Sequence, residues 1–185
     1  MQANRVEKTT TYLSAFGMRQ VHKYRLLSSG WTLTAALLFA SPVHARLLVS
    51  PNEVPCMESA ARYYSLPVAL LRAIRAQEGG SAGAWSLNTD GSVDYGVMQI
   101  NSRWLPRLEQ RGYTARALVY DACASIVAGA WILAHELAEC DAWNRSGVNP
   151  HVYWRAIGNY HSHTPQRNRA YAEKVWTRYQ REVGP

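Results

Sequence analysis

Asn88-Thr89-Asp90-Gly91-Ser92-Val93-Asp94-Tyr95-Gly96-Val97-Met98-Gln99-Ile100-Asn101-Ser102 is the stretch on which the fold turns, and it begins ten residues after Glu78. Upstream, Pro67 stands at a first-turn position ahead of Val68, Leu70, Leu71 and Ile74, which share one helical face, and Gly79-Gly80 breaks the pattern directly after Glu78. Glu78 is therefore expected at a helix C-terminus. The partial negative charge of that terminus and an apolar surround both disfavour ionisation, so its carboxyl should hold a proton toward neutral pH. Beyond the glycines, Asn88 and Asp90-Gly91 are turn residues and Val93, Tyr95 and Val97 alternate, which predicts a small hairpin or irregular β ribbon. A Glu alone reads as a solvated helix end; a Glu closing a helix, then a glycine turn, then this ribbon is a specific order of parts.

The flanks are helical. Pro55 opens a pattern through Tyr64, residues 103–111 form a short helix stopped by Gly112, and Asp121 caps the longest apolar run, residues 122–137, the candidate central helix. Asn149-Pro150 is a cap and first-turn pair for a helix to about Tyr160, and Pro165 opens a last one to about Arg181. There is no internal repeat and no low-complexity tract. The expected class is mainly α with a minor β element, in the α+β sense.

The N-terminus differs in character. Arg19, Lys23 and Arg25 precede an apolar run at residues 31–40 and then Ser41-Pro42-Val43-His44-Ala45, the order of a secretory signal. A spanning helix needs about 20 apolar residues, whereas this run has ten before Ser41. Residues 1–45 are read as a signal peptide, with the true start at Met18, and residues 46–185 as one domain without a stable membrane span. Removal takes away five Lys/Arg and one Asp/Glu, leaving 15 against 12, so the net charge falls from +7 to +3. The last 41 residues stay basic, with Arg145, Arg155, Arg167, Arg169, Lys174, Arg178 and Arg181 against Glu173 and Glu182. That bias suits a polyanion, and cell-wall stem peptides and nucleic acid both qualify. No nucleic-acid motif accompanies it, and no nucleic-acid partner is expected. Cys56, Cys123 and Cys140 fit no zinc spacing; in an exported chain Cys56 with Cys123 is the disulfide candidate, although the sequence also permits Cys123 with Cys140, or no bridge.

Residues 88–104 resemble the corresponding stretch of C-type lysozymes, with Asp94 in the place of the second carboxylate. Glu78 with the helix before it, Gly96-Val97-Met98-Gln99-Ile100-Asn101, Ala130-Trp131-Ile132-Leu133-Ala134 and residues 156–160 together are more similar to bacterial lytic transglycosylases of the soluble-lytic-enzyme type. The specialised members that accompany conjugation, secretion and pilus systems share the most, and the resemblance covers residues 55–175. It implies a lysozyme-like fold and an exported, periplasmic, monomeric enzyme acting on peptidoglycan strands beside such an apparatus, without cofactor or metal. By the same resemblance, one Glu protonates the bond between N-acetylmuramic acid and N-acetylglucosamine. It then serves as base while the sugar's 6-hydroxyl closes a 1,6-anhydro ring. Glu78 takes that role; Gly96, Met98 and Gln99 line the glycan groove; Tyr160 is the aromatic hydroxyl near Glu78.

Asn101 has a side-chain amide able to bind acetamido and hydroxyl groups, as does Gln99, though either amide could brace the turn instead. Trp104, directly after the ribbon, is the expected sugar platform, with Trp131 in the core and Trp85, Trp143, Trp154 and Trp176 left to packing. Two departures stand out. Gly79 replaces the family's usual Ser after the catalytic Glu, and Tyr160-His161-Ser162-His163 replaces Tyr-Asn-Ala-Gly, which puts His161 where an Asn usually meets substrate. Asp94 divides the hypotheses. Paired with Glu78 it would make a hydrolytic muramidase, in which two carboxyls about 5 to 5.5 Å apart act together; its bland role is a turn Asp bonded to backbone. A wall-binding assembly protein that keeps the fold without catalysis is the remaining alternative.

Overall fold

The computed structural model describes residues 50–140, 143–144 and 147–184. The expected signal segment and all but Ser50 of the extended lead fall outside them, as does Arg145. A 3-10 turn, Pro51–Glu53, leads into helix α1 (Val54–Tyr63), which has proline in its first turn. Pro67 then caps α2 (Val68–Glu78), whose inward face carries Leu70, Leu71 and Ile74, all buried. Burying one such side chain contributes roughly 1.5 to 3 kcal/mol. Gly79 ends the helix in the left-handed conformation at φ 64°, its N–H returning to the Arg75 carbonyl, so Glu78 is the last helical residue as the glycine pair required. The buried Arg75 guanidinium also donates twice to Glu53, at 2.8 and 3.0 Å, tying the first turn of the domain to α2.

The ribbon is a three-stranded antiparallel sheet, β1 (Trp85–Leu87), β2 (Val93–Tyr95) and β3 (Ile100–Asn101), in that order. Its register pairs Asp94 with Ser86 on one side and Asn101 on the other. Val97 lies past the end of β2, in the turn that leads to β3. A second 3-10 turn, Ser102–Trp104, and α3 (Leu105–Glu109) occupy the expected short helix. Helix α4 (Ala115–Tyr120), capped by the Thr114 hydroxyl, had no counterpart in the sequence reading, being too short for its period to stand out.

The central helix is α5 (Ala122–Glu139), with Asp121 accepting from the Ala124 N–H at 3.0 Å. It is long and apolar enough to cross a membrane by length and composition, but Ile126, Ala130, Ile132, Leu133 and Leu137 are buried in the domain. After a short β4 (Trp143–Asn144) and β5 (Gly147–Val148) hairpin, α6 (Pro150–Asn159) starts on the Asn149 side chain, which accepts from the N–H groups of His151 and Val152. Helix α7 (Pro165–Val183) closes the domain and packs most extensively on α2, with Arg178 donating to Gln77 at 3.0 Å.

Cys56 and Cys123 are bonded, linking α1 to α5; Cys140 is free and accepts from the Asn159 amide at 3.4 Å. A loop of this length, 67 residues, stabilises the fold by roughly 4 kcal/mol in the chain-entropy account. Trp154 and Trp176 pack against the core, 5.0 Å apart, as expected. Trp85 does not: it is 62% exposed, because β1 is an edge strand of the sheet and no further layer covers it among the described residues. The side chain of Trp143 lies outside the described residues.

Candidate active site

A groove of about 800 Å³ runs between the sheet and the helical body. Glu78, Asp94, Gln99, Asn101, Trp104, Tyr160 and His161 all line it. Gly96 and Met98 do not. Gly96 is buried at φ 63°, and a Cβ there would lie 1.9 Å from the Leu118 carbonyl oxygen, so the residue is glycine because the backbone of α4 passes against it. The Met98 side chain is fully buried against α5, where Gly129 makes room: a Cβ on Gly129 would meet Met98 at 2.8 Å and the Tyr160 oxygen at 2.9 Å. The Met98 N–H donates to Ser125 and its carbonyl accepts from Tyr160 at 3.1 Å, so this turn is the docked underside of the groove floor.

Glu78 reaches the groove from the end of α2 and accepts a short hydrogen bond from the Tyr171 hydroxyl of α7. Burial pushes its pKa from 4.5 up to about 7; the Tyr171 hydrogen bond opposes the rise and the negative charge of Asp94 reinforces it. The hydroxyl on Glu78 thus belongs to Tyr171, while the Tyr160 hydroxyl is directed at the Met98 carbonyl. The two phenol rings stack with centroids 6.3 Å apart, and burial holds both well above the ordinary phenol range, so each is a hydrogen-bond donor at any working pH. Tyr171 was not singled out in the sequence, yet a signal existed. Asn168, Tyr171, Ala172, Val175 and Tyr179 are the buried positions of α7 and fall at helical spacing, which turns Tyr171 inward.

Asp94 is held by amides. Asn88 donates to one carboxylate oxygen at 2.9 Å and Asn101 to the other at 2.8 Å. The second hydrogen of each amide goes to the Ser92 hydroxyl, at 3.1 and 2.9 Å, and Ser92 in turn donates to Asp90 at 2.6 Å. The Ser92 hydroxyl therefore fills one donor and two acceptor positions, and both Asn amides spend both hydrogens inside the network. Asn101 also caps the following turn through its oxygen, accepting from the Arg103 N–H at 3.1 Å. Its amide braces Asp94 and the turn, leaving no hydrogen for a ligand. Gln99, at φ 45°, donates to the Gly96 carbonyl at 2.9 Å and accepts from Ser86 at 3.2 Å, so it is braced too, though one of its amide hydrogens is left over.

Trp104 presents its indole to the groove and is held edge-on by Trp131 and His135, at centroid distances of 5.8 and 5.6 Å. His161 stacks flat on Tyr171 at 5.0 Å; burial against that ring lowers its pKa, Asp94 works the other way, and Arg167 and Lys174 add to the lowering. A neutral imidazole at neutral pH keeps the donor and acceptor pair that an Asn amide would offer. The neighbouring His163 meets the buried carboxylate of Glu136 at 3.2 Å. The loop that carries these histidines is set by Asn168, whose amide donates to the Arg155 and Ser162 carbonyls and to Asn159.

A helical body facing a small antiparallel sheet across a groove, with a proton-holding carboxyl at the end of the helix between them, is a lysozyme-like fold. Residues 55–181 match the model of the transglycosylase SLT domain. The chain is 35% identical over 134 residues to the invasion protein IagB of Salmonella typhimurium, covering 70% of this chain and 78% of that protein. It is 32% identical over 131 residues to the protein IpgF of Shigella flexneri, covering 68% and 80%, and 29% identical over 157 residues to the X polypeptide of Escherichia coli, covering 80% and 82%. The chain belongs to the transglycosylase SLT family and is a lytic transglycosylase. Its work on peptidoglycan takes place outside the cytoplasm.

Proposed function

We propose that the enzyme cleaves the β-1,4 bond between N-acetylmuramic acid and N-acetylglucosamine and leaves a 1,6-anhydro end, with Glu78 as acid and then base. The observation that carries this reading is the Glu78 carboxyl, brought to about 7 at the end of α2 and open to the groove. A pKa at working pH suits both halves of the reaction, protonating the leaving oxygen and then taking the proton of the 6-hydroxyl, and such a group typically contributes about 10² to 10⁴ in rate. Tyr171 orients the carboxyl in the place that the family's Ser after the Glu leaves empty at Gly79. Asp94, fixed by Asn88 and Asn101, presents negative charge toward a developing oxocarbenium-like state. Trp104 stacks a sugar ring, while His161 and the remaining amide hydrogen of Gln99 meet its polar substituents. Tyr160 and Met98 support the floor beneath them.

Residues 1–45 are a signal peptide in this reading, and residues 46–185 work as a monomer in the periplasm. The name of the relative IagB, an invasion protein, and the family resemblance support local wall opening for a secretion, conjugation or pilus apparatus. The electrostatic coupling of Asp94 to Glu78 supports a second reading, hydrolysis by the pair. Mass spectrometry of muropeptides released by residues 46–185, beside the Glu78→Gln variant, decides. Products one water lighter than hydrolytic ones, absent with the variant, are expected; reducing ends would make the enzyme a muramidase.

A further inference from the structure

Glu53, 6% exposed, and Glu136, 3% exposed, are the most covered carboxylates among the described residues, and they are paired in opposite ways. Glu53 takes two hydrogen bonds from Arg75, which is buried with it. Glu136 is the one charged residue among the buried positions of the apolar helix α5, and its partner comes from outside. That partner is the His163 imidazole, 3.2 Å away on a side chain that is 70% exposed. Arg167 and Glu139 line the same groove without an ion pair to either residue among the described ones. Withdrawing a carboxylate from water is costly, and an apolar residue of similar volume serves stability as well or better. A core carboxylate spent on one surface imidazole therefore does something other than stabilise the core. His163 stands where the family resemblance puts a glycine, so the side chain that meets Glu136 is a feature of this chain.

We infer that Glu136 and His163 are positioning residues, a latch that holds residues 161–164 down on α5 as one wall of the groove and so keeps His161 in place for substrate. The remaining bonds of this loop run to its own two helices. The Ser162 N–H donates to the Gly158 carbonyl at 3.1 Å, and Asn168 of α7 donates to the Ser162 carbonyl at 3.2 Å. Gly158 makes room for that amide, since a Cβ there would lie 2.3 Å from the Asn168 side-chain oxygen. These contacts fix the root of the loop; among the described residues, the Glu136 contact is the hydrogen bond that ties it to α5. Glu78 and Tyr171 are held by α2 and α7, independently of the loop. Loss of the latch therefore weakens substrate binding and leaves the acid as it is. The inference rests on the reading above in one respect, that His161 meets substrate.

The test is a double-mutant cycle read in kcat and KM on solubilised peptidoglycan fragments. Glu136→Gln and His163→Gln should each raise KM by about 10-fold, the worth of one hydrogen bond to a charged group, and the double variant should be no worse than either. His163→Lys keeps a cation opposite the carboxylate and should recover part of the loss. The alkaline limb of kcat near pH 7 should stay in place in all of them. An unchanged KM in both single variants, a double variant whose loss is the product of the two, or a shifted alkaline limb overturns the inference. Should His163→Gln fail to fold around a stranded carboxylate, Glu136→Gln decides alone, since its amide keeps the shape without the charge. His161→Ala separates the two readings: a KM that does not move in that variant removes His161 from the substrate. The latch itself is read without substrate by hydrogen exchange at the amides of residues 161–164. Exchange should quicken in Glu136→Gln, and an unchanged rate overturns the latch.

Discussion

Replacing Glu78 by Gln should remove most of the activity and yet stabilise the fold at neutral and alkaline pH. The carboxyl holds its proton to about pH 7 in the folded chain, against 4.5 for an ordinary Glu. Below the lower value both states are protonated and the fold has the full benefit of a neutral buried group. Between the two values the unfolded chain releases the proton while the folded chain keeps it, so stability falls as pH rises, and the loss is complete above the folded pKa. A difference of about 2.5 pH units at 1.36 kcal/mol each gives about 3 kcal/mol, and the opening of the groove to solvent brings the expected figure to about 2 to 3 kcal/mol. Gln keeps the shape and an oxygen for the Tyr171 hydroxyl without any charge. Urea unfolding followed by circular dichroism at pH 4 and pH 8 reads the outcome: the variant should gain on wild type at pH 8, and most of the gain should vanish at pH 4. A stability gap that does not change with pH, or a variant that loses ground as pH rises, would refute the claim that burial holds this proton. The same titration should appear in turnover as an alkaline limb near pH 7.

Tyr171→Phe removes the hydrogen bond that favours the ionised Glu78, so the alkaline limb of the pH–rate profile should move upward; a profile that stays in place would show that the contact does not tune the acid. Asp94→Asn removes a nearby negative charge and should move that limb downward. It also presents an amide to the two Asn donors that hold Asp94, costing about 1 to 3 kcal/mol by thermal unfolding, and a product switch or a complete loss of turnover would favour the hydrolytic pair. Gly96→Ala forces a Cβ into the Leu118 carbonyl oxygen and should lower stability by more than about 3 kcal/mol; an unchanged melting temperature would mean that the β2 turn is not docked as described.

The helices were legible because their signals are local. Pro67, Asp121, Asn149 and Pro165 mark helix starts within a few residues, and the glycine pair after Glu78 fixed the end of α2 without reference to anything distant. The groove residues were legible only in part. Glu78, Asp94, Gln99, Trp104 and His161 face the groove, but Gly96 and Met98, from the same run, turn into the core. A stretch of sequence shows that a turn is tight; it does not show which of its side chains the packed helix will cover. Here α5, with a glycine at position 129, covers Met98.

The sequence by itself determined the class of fold, the carboxyl at the end of a helix and the family, because each is written in spacings of a few residues or in an ordered set of short runs. Only the tertiary structure decided what surrounds that carboxyl. The hydroxyl on Glu78 comes from Tyr171, 93 residues away, and not from Tyr160. Asn101 spends its amide on Asp94, and the buried Glu136 meets His163, 27 residues further along the chain. These outcomes depend on which faces of α2, α5 and α7 meet. That choice is made by the burial of the whole core, and no local pattern records it.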